Sequence, residues 1–128
     1  MKLNSILGGI NQMKIVILEP LGITAEKLAA ASAAVEAKGH TLVAYDTKTE
    51  NQEELAQRGK DADVIIIANQ PLRKNVLEKC ENLKFLSIAF TGVDHVDVEY
   101  CRERGIAVSN AAGYSTNAVA ELAFGLAV

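Results

Sequence analysis

Five short apolar runs recur at near-regular spacing along the chain, and they constrain its fold more than any other feature. The runs are rich in Ile and Val, and they are continuous rather than alternating. Strands with one solvent-exposed face alternate apolar and polar residues, whereas parallel strands covered on both faces are apolar throughout. The pattern therefore predicts a buried parallel sheet. The runs are KIVIL (14–18), TLVAY (41–45), DVIIIA (63–68), FLSIAF (85–90) and IAVSN (106–110).

The segments between these runs are helical in character. Thr24 is a good N-cap for the stretch AEKLAAASAAVEAK, and Gly39 follows as a stop. Shorter helices are predicted at 51–59, 73–80 and 96–105. Because connections between parallel strands are right-handed, five strand–helix alternations predict an α/β fold, a flavodoxin-like open parallel five-stranded sheet. We expect the strand order 2-1-3-4-5, with helices on both faces.

Charge and cysteine content limit the partners and the location of the chain. Thirteen basic residues are scattered among sixteen acidic ones with a net charge of −3, which argues against nucleic acid or a membrane as partners. No run reaches the roughly eighteen apolar residues needed to span a bilayer, and residues 1–12 lack a signal-peptide core. Because the strand KIVIL follows Met13 at once, residues 1–12 are interpreted as an N-terminal extension of a domain that begins at Met13. Cys80 and Cys101 have no metal-type spacing, which predicts reduced thiols in a cytoplasmic protein.

Ligands of open parallel sheets bind beyond the carboxyl ends of the strands, so the loops at those ends are the expected places for a functional site. The first loop, EPLGIT, has one glycine where a GxGxxG turn would need three, and Asp46 is therefore interpreted as a solvated loop residue. Gly22 and Thr24 make only a short match to a flavin-phosphate cradle. A phosphorylated receiver domain would need an acid and a lysine where Asn69 and Asn110 stand.

The fourth loop, TGVDHVD (91–97), is the most informative. Gly92 lets backbone N–H groups turn outward at a strand end, which suits a carboxylate or a phosphate. The alternative is a plain turn into the next helix, with Asp94 or Asp97 as its N-cap. Two acids and one histidine at the start of a helix usually cap the helix or face solvent, so no metal site is expected.

The stretch FTGVDHVDVEYCRERGIAVSNAAGYSTNAVAEL resembles the D-isomer-specific 2-hydroxyacid dehydrogenases, the family that includes glycerate, phosphoglycerate, D-lactate and formate dehydrogenases. The matching features are TGVDHVD, RGI before a strand, an N-x-x-G-Y-S-T loop, and VAEL opening a helix. The Ser–Thr pair after Gly113 and Tyr114 resembles glycerate or hydroxypyruvate reductases somewhat more than the other members.

The resemblance implies a two-domain enzyme that transfers a hydride between NAD or NADP and a 2-hydroxy or 2-oxo acid. It implies that backbone N–H groups of the TGV segment hold the substrate carboxylate, and that the loop after the third strand borders the same pocket. The residues implied in substrate binding are Asn69, Gln70, Thr91, Gly92 and Val93, and those implied on the cofactor side are Thr116 and Val119.

The resemblance also implies what this chain lacks. Family members continue into a Rossmann domain with a GxGxxG turn and then supply a catalytic Arg, an acid and a His, so no catalytic residue is expected here, and neither His40 nor His95 matches that histidine. Residues 13–115 are interpreted as the substrate domain. Residues 116–128 are interpreted as the start of an inter-domain helix, because it is apolar nearly all round and has no stop signal.

We therefore expect a substrate-domain fragment that alone neither binds NAD tightly nor turns over a 2-oxo acid, with a homodimer only at full length. The alternatives are a stand-alone flavodoxin-like module that binds a small molecule or a partner, and a flavodoxin-type electron carrier.

Overall fold

The predicted alternation of strands and helices is present in the computed structural model, which describes residues 13–89, 92 and 94–110. The elements in chain order are β1 Lys14–Ile17, α1 Ala25–Ala37, β2 Thr41–Ala44, α2 Gln52–Gly59, β3 Val64–Ile67, α3 Lys74–Leu77, β4 Phe85–Ile88, α4 Val98–Arg104 and β5 Ala107–Asn110.

The five strands form one parallel sheet in the order β2-β1-β3-β4-β5, which confirms the predicted fold class and strand order. The register places one residue of each strand in a row across the sheet: Val43, Val16, Ile65, Leu86 and Val108. Because the strands are parallel and nearly in line, their carboxyl ends meet at one edge. The loops that follow them are brought together there.

Both faces of the three inner strands β1, β3 and β4 are covered, which explains why their apolar runs do not alternate. One face packs on α2, α3 and α4 in the larger core, to which Leu55, Leu77 and Cys101 contribute. The other face packs on α1 through Ala31 and Val35 in a smaller core. All four residues of β3 are buried, as expected for a central strand with neighbours on both sides.

The caps of the longest helix follow the sequence signals. The Thr24 hydroxyl accepts a hydrogen bond from the backbone N–H of Lys27 at 3.2 Å. Gly39 has a φ of +90°, a left-handed conformation that glycine adopts without strain. The predicted start and stop of α1 are therefore confirmed.

The amino ends of β1 and β3 are tied together by Asp63, which precedes β3. Its Oδ2 accepts a hydrogen bond from the backbone N–H of Lys14 at 2.9 Å, and its Oδ1 accepts one from Lys84 Nζ at 2.8 Å. The Asp63 carboxylate thus joins the starts of β1, β3 and β4 at the edge opposite the expected site.

Several predictions lie outside the described residues. These are the N-terminal extension at 1–12, the domain boundary at residue 115, and the inter-domain helix at 116–128. Within 13–89, 92 and 94–110, no helix combines the length and the apolar character required to cross a membrane.

Candidate functional site

The loops after β3 and β4 lie side by side at the carboxyl edge of the sheet. Leu72 and Val96 form an isolated parallel bridge, in which the Leu72 N–H donates to the His95 carbonyl at 2.8 Å and the Asp97 N–H donates to the Leu72 carbonyl at 3.3 Å. His95 Nε2 also lies 2.8 Å from the carbonyl oxygen of Ala68. The structure thus joins the segment that carries Asn69 and Gln70 to the segment TGVDHVD.

A buried carboxylate organises the first of these two loops. Glu19 follows β1 and is fully buried, and its Oε2 accepts hydrogen bonds from the backbone N–H groups of Ala68 and Gln70, each at 2.7 Å. Hydrogen bonds to an ionised acceptor are among the strongest in proteins. Sequence reasoning missed Glu19, although an acid directly after the apolar run KIVIL was a visible signal.

The second oxygen of Glu19 faces a cation. Lys48 Nζ lies 3.5 Å from Glu19 Oε1 and donates a hydrogen bond to Asn69 Oδ1 at 3.1 Å. Among the described residues, Glu19 Oε1 has no hydrogen-bond partner, so its contact with Lys48 is a charge contact. Glu19, Lys48 and Asn69 thus form a cluster that draws one residue from beyond each of β1, β2 and β3.

The predicted substrate residues differ in their exposure. The Asn69 side chain is exposed at the edge, whereas Gln70 is buried and its Nε2 makes a long hydrogen bond to the Pro71 carbonyl at 3.4 Å. Gly92 is partly buried. Thr91 and Val93, and the predicted cofactor residues Thr116 and Val119, lie outside the described residues. Asp46 is exposed, as expected of a solvated loop residue.

A buried arginine fixes the ends of β1 and β2. Arg58 on α2 donates from Nη1 to the carbonyls of Leu18 at 3.0 Å and Thr47 at 2.7 Å. Its Nη2 donates to Thr47 Oγ1 at 2.9 Å and to Glu54 Oε2 at 2.7 Å, and the guanidinium lies 4.4 Å from the centre of the Tyr45 ring. Sequence reasoning also missed Arg58, because nothing local distinguishes it from a solvated helix residue.

Asp97 serves a different helix from the one expected. It occupies the N-cap position of α4 but makes no side-chain capping bond there. Its Oδ2 instead accepts from the backbone N–H of Lys74 at 2.6 Å, and its Oδ1 lies 3.3 Å from Arg73 Nη1. The alternative in which Asp97 is the N-cap of its own helix holds for its position but not for its side chain, because the carboxylate binds the start of the neighbouring helix α3.

The first loop does not fit the pyrophosphate of a dinucleotide. Such a group needs free N–H donors at a helix N-terminus and close approach of a glycine-rich turn. Here the buried carboxylate of Glu19 follows β1 directly, and the Thr24 hydroxyl occupies a donor of the first turn of α1. The described residues also contain no group of three His, Cys, Asp or Glu side chains placed to hold a metal ion.

The two cysteines are packing residues of the larger core. Both are buried, and the Cys80 thiol donates to the Val76 carbonyl at 3.4 Å. Burial raises the pKa of Cys80 to about 11 and raises the pKa of Cys101, in both cases against the opposing charge of Arg104. Their thiols are therefore protonated and unreactive near neutral pH.

Known proteins share both the sequence and the fold of this chain. The family model described as D-isomer specific 2-hydroxyacid dehydrogenase, catalytic domain, matches residues 15–125. A hydroxypyruvate reductase of Blautia hydrogenotrophica is 36% identical over 92 residues, which are 72% of this chain and 29% of that protein. A D-3-phosphoglycerate dehydrogenase of Methanocaldococcus jannaschii is 39% identical over 115 residues, which are 89% of this chain and 20% of that protein. The chain thus spans less than a third of these curated relatives.

Solved structures give the same result. A 3-phosphoglycerate dehydrogenase of Entamoeba histolytica with bound NAD+ superimposes with a TM-score of 0.69 at 28% identity, covering 77% of this chain and 32% of that one. An NAD-dependent formate dehydrogenase of Staphylococcus aureus with NAD superimposes with a TM-score of 0.62 at 30% identity, covering 77% and 31%. With its fold and its sequence match in agreement, this chain belongs to the D-isomer-specific 2-hydroxyacid dehydrogenase family.

Proposed function

We propose that this chain supplies the substrate-binding part of an oxidoreductase that transfers a hydride between NAD or NADP and a 2-hydroxy or 2-oxo acid. The observation that carries the proposal is the joining of two loops at the carboxyl edge, by the Leu72–Val96 bridge and the contact of His95 with Ala68. Ligands of open parallel sheets bind at this edge, and the family match covers both loops.

In this proposal the substrate carboxylate is held by backbone N–H groups around Gly92, in the segment Thr91 to Val93. Asn69 and Gln70 border the same pocket, and the exposed amide of Asn69 is proposed to meet a hydroxyl or an oxo group of the substrate. The cofactor side is assigned to Thr116 and Val119. The domain division is 13–115 and 116–128, and the chemistry depends on a Rossmann domain and catalytic groups outside this chain.

The substrate proposed is a short acid such as glycerate or hydroxypyruvate. The Ser–Thr pair that follows Tyr114 in the sequence supports it. So do relatives named hydroxypyruvate reductase and glycerate dehydrogenase; the latter, from Hyphomicrobium methylovorum, is 38% identical over 73 residues. The protein is proposed to work in the cytoplasm and to dimerise only at full length.

The first experiment assays the 128-residue chain with NADH or NADPH and hydroxypyruvate, glyoxylate or pyruvate. We expect no oxidation above a mock preparation and no tight binding of NAD, because the first loop does not fit a pyrophosphate. Turnover by the chain alone would contradict this part of the proposal.

The second experiment restores a complete enzyme. Residues 13–110 replace the matching segment of the hydroxypyruvate reductase of Blautia hydrogenotrophica, with the parent enzyme as the control. We expect NADH-dependent reduction of hydroxypyruvate. A chimera that folds and binds NADH but reduces none of the three acids would refute the assignment to substrate binding.

A further inference from the structure

We propose that Glu19 is a positioning residue, whose buried carboxylate holds the loop after β3 in the conformation that receives the substrate. The inference rests on the proposed function, in which Asn69 and Gln70 border the substrate. It adds a residue from the loop after β1, and no contact between that residue and the substrate is expected.

One oxygen atom of Glu19 binds two backbone N–H groups of the loop after β3. Glu19 Oε2 accepts the backbone N–H groups of Ala68 and Gln70 at 2.7 Å each, so the backbone from 68 to 70 curves around it. The Ala68 carbonyl is held in turn by His95 Nε2 at 2.8 Å. Asn69 therefore sits between two anchored residues, with its own side chain exposed at the edge.

A carboxylate is not needed at residue 19 for packing alone. A fully buried carboxylate loses its hydration, and an apolar side chain of similar volume would fill the same space without that cost. Lys48 lies 3.5 Å from Oε1 but is itself 57% exposed, so it compensates the charge only in part. What a carboxylate provides here, and leucine cannot, is an acceptor for two amides of one loop.

Loss of the Glu19 hydrogen bonds should weaken substrate binding by lowering the fraction of the protein that is in the binding-competent conformation. A ligand binds with an affinity reduced by the fraction of the protein that is in the competent conformation. If loss of both amide bonds lowers that fraction from near one to about a tenth, the apparent Kd rises about tenfold.

The experiment uses the isotope-labelled 128-residue chain and follows its amide signals by NMR. D-glycerate is the probe, and propionate, which lacks the 2-hydroxyl group, is the control ligand. The variants are Glu19→Leu, which removes the acceptor, and Glu19→Gln, which keeps one oxygen that can accept both amides. Val35→Ala is the matched control, since it removes core volume on α1 without touching the loop bonds.

We expect D-glycerate to shift the signals of residues 68–72 in the wild type. The Kd should rise about tenfold in Glu19→Leu, stay within about threefold in Glu19→Gln, and be unchanged in Val35→Ala, although that variant has a lower Tm. Equal weakening in Glu19→Leu and Val35→Ala would show that Glu19 acts only through stability and would overturn the proposal. An unchanged Kd in Glu19→Leu would overturn it as well.

Two further outcomes keep the inferences distinct. If D-glycerate shifts no signal of residues 68–72 in the wild type, the proposed function fails and the positioning role fails with it. If Glu19→Leu does not fold, amide hydrogen exchange decides: we expect Ala68 and Gln70 to be protected in the wild type and in Glu19→Gln. Exchange of these two amides at unprotected rates in the folded wild type would refute the role of Glu19.

Discussion

Replacement of Arg58 by leucine should cost a large part of the stability of this domain. The guanidinium joins three elements, because it donates to carbonyls after β1 and β2 from its position on α2. Only 8% of the residue is exposed, so water cannot readily replace these bonds. Leucine would fill much of the volume but leave the carbonyls of Leu18 and Thr47 without this donor.

The magnitude follows from the individual contacts. A hydrogen bond to a charged group contributes about 1.5 kcal/mol at the lower end, and Arg58 makes two such bonds to carbonyls. The pair with Glu54 adds less than about 1 kcal/mol because that carboxylate is half exposed, and the contact with Tyr45 adds about 0.5 kcal/mol. The leucine side chain recovers part of this by its own burial. We expect a net loss of about 3 kcal/mol, a large share of the roughly 5–15 kcal/mol that folded domains have.

Urea unfolding followed by circular dichroism measures this loss. The control is Arg102→Leu, the same substitution on an exposed helix surface, where the arginine is 72% exposed and pairs with Glu99. That variant should lose less than about 0.5 kcal/mol. A loss below about 1 kcal/mol in the free energy of unfolding of Arg58→Leu, with an unchanged m-value, would refute the reasoning that buried guanidinium bonds hold the two strand ends.

Three further predictions concern the core and a helix end. Burial raises the pKa of the Cys80 thiol from 9.0 to about 11, so its contribution to the free energy of unfolding is complete below pH 9 and falls by about 2–3 kcal/mol as the pH rises to 11. Urea unfolding of the wild type at these pH values should show this extra loss of stability, and urea unfolding of Cys80→Ala should not. Gly105 ends α4 with a φ of +75°, so Gly105→Ala should lower the free energy of unfolding by about 1 kcal/mol and Gly105→Asn by less. A methyl group at Gly59 would lie 3.0 Å from Ile65 Cδ1 and 3.1 Å from Cys80 Sγ, so Gly59→Ala should lower the free energy of unfolding by about 1–3 kcal/mol through overpacking, despite the better helix propensity of alanine. The Tm should fall with it, and a raised Tm would contradict the tight packing of α2 on β3.

The fold was predictable because its main determinant is local. A strand buried on both faces must be apolar at every position, and the run 64–67 is fully buried in the structure. The caps of α1 were predictable for the same reason, since Thr24 and Lys27 are three residues apart. Strand order followed from the rules for parallel sheets, which need no knowledge of individual contacts.

The contacts of the candidate site were less predictable because they are long-range. Glu19 bonds to residues 49 and 51 positions away, and Arg58 bonds to a carbonyl 40 positions away. No periodic pattern marks such pairs: the acid after the run KIVIL is visible in the sequence, but its partners are not, and Arg58 resembles a solvated helix residue. Asp97 shows the opposite error, in which a local capping rule was overridden by a backbone N–H that lies 23 residues away. The substrate roles of Asn69 and Gln70 stay predictions.

The two carboxylates at opposite ends of β1 and β3 have a consequence for folding kinetics. Asp63 binds the first residue of β1, and Glu19 binds the turn after β3, each across 49 residues of sequence. Each bond requires that a long loop has closed and that the strands have aligned, and we predict that both bonds form after the folding transition state. Contacts absent from the transition state leave the folding rate unchanged and slow unfolding. The bonds of these two acids should therefore lower the unfolding rate, so that the native sheet persists longer than its equilibrium stability alone would require.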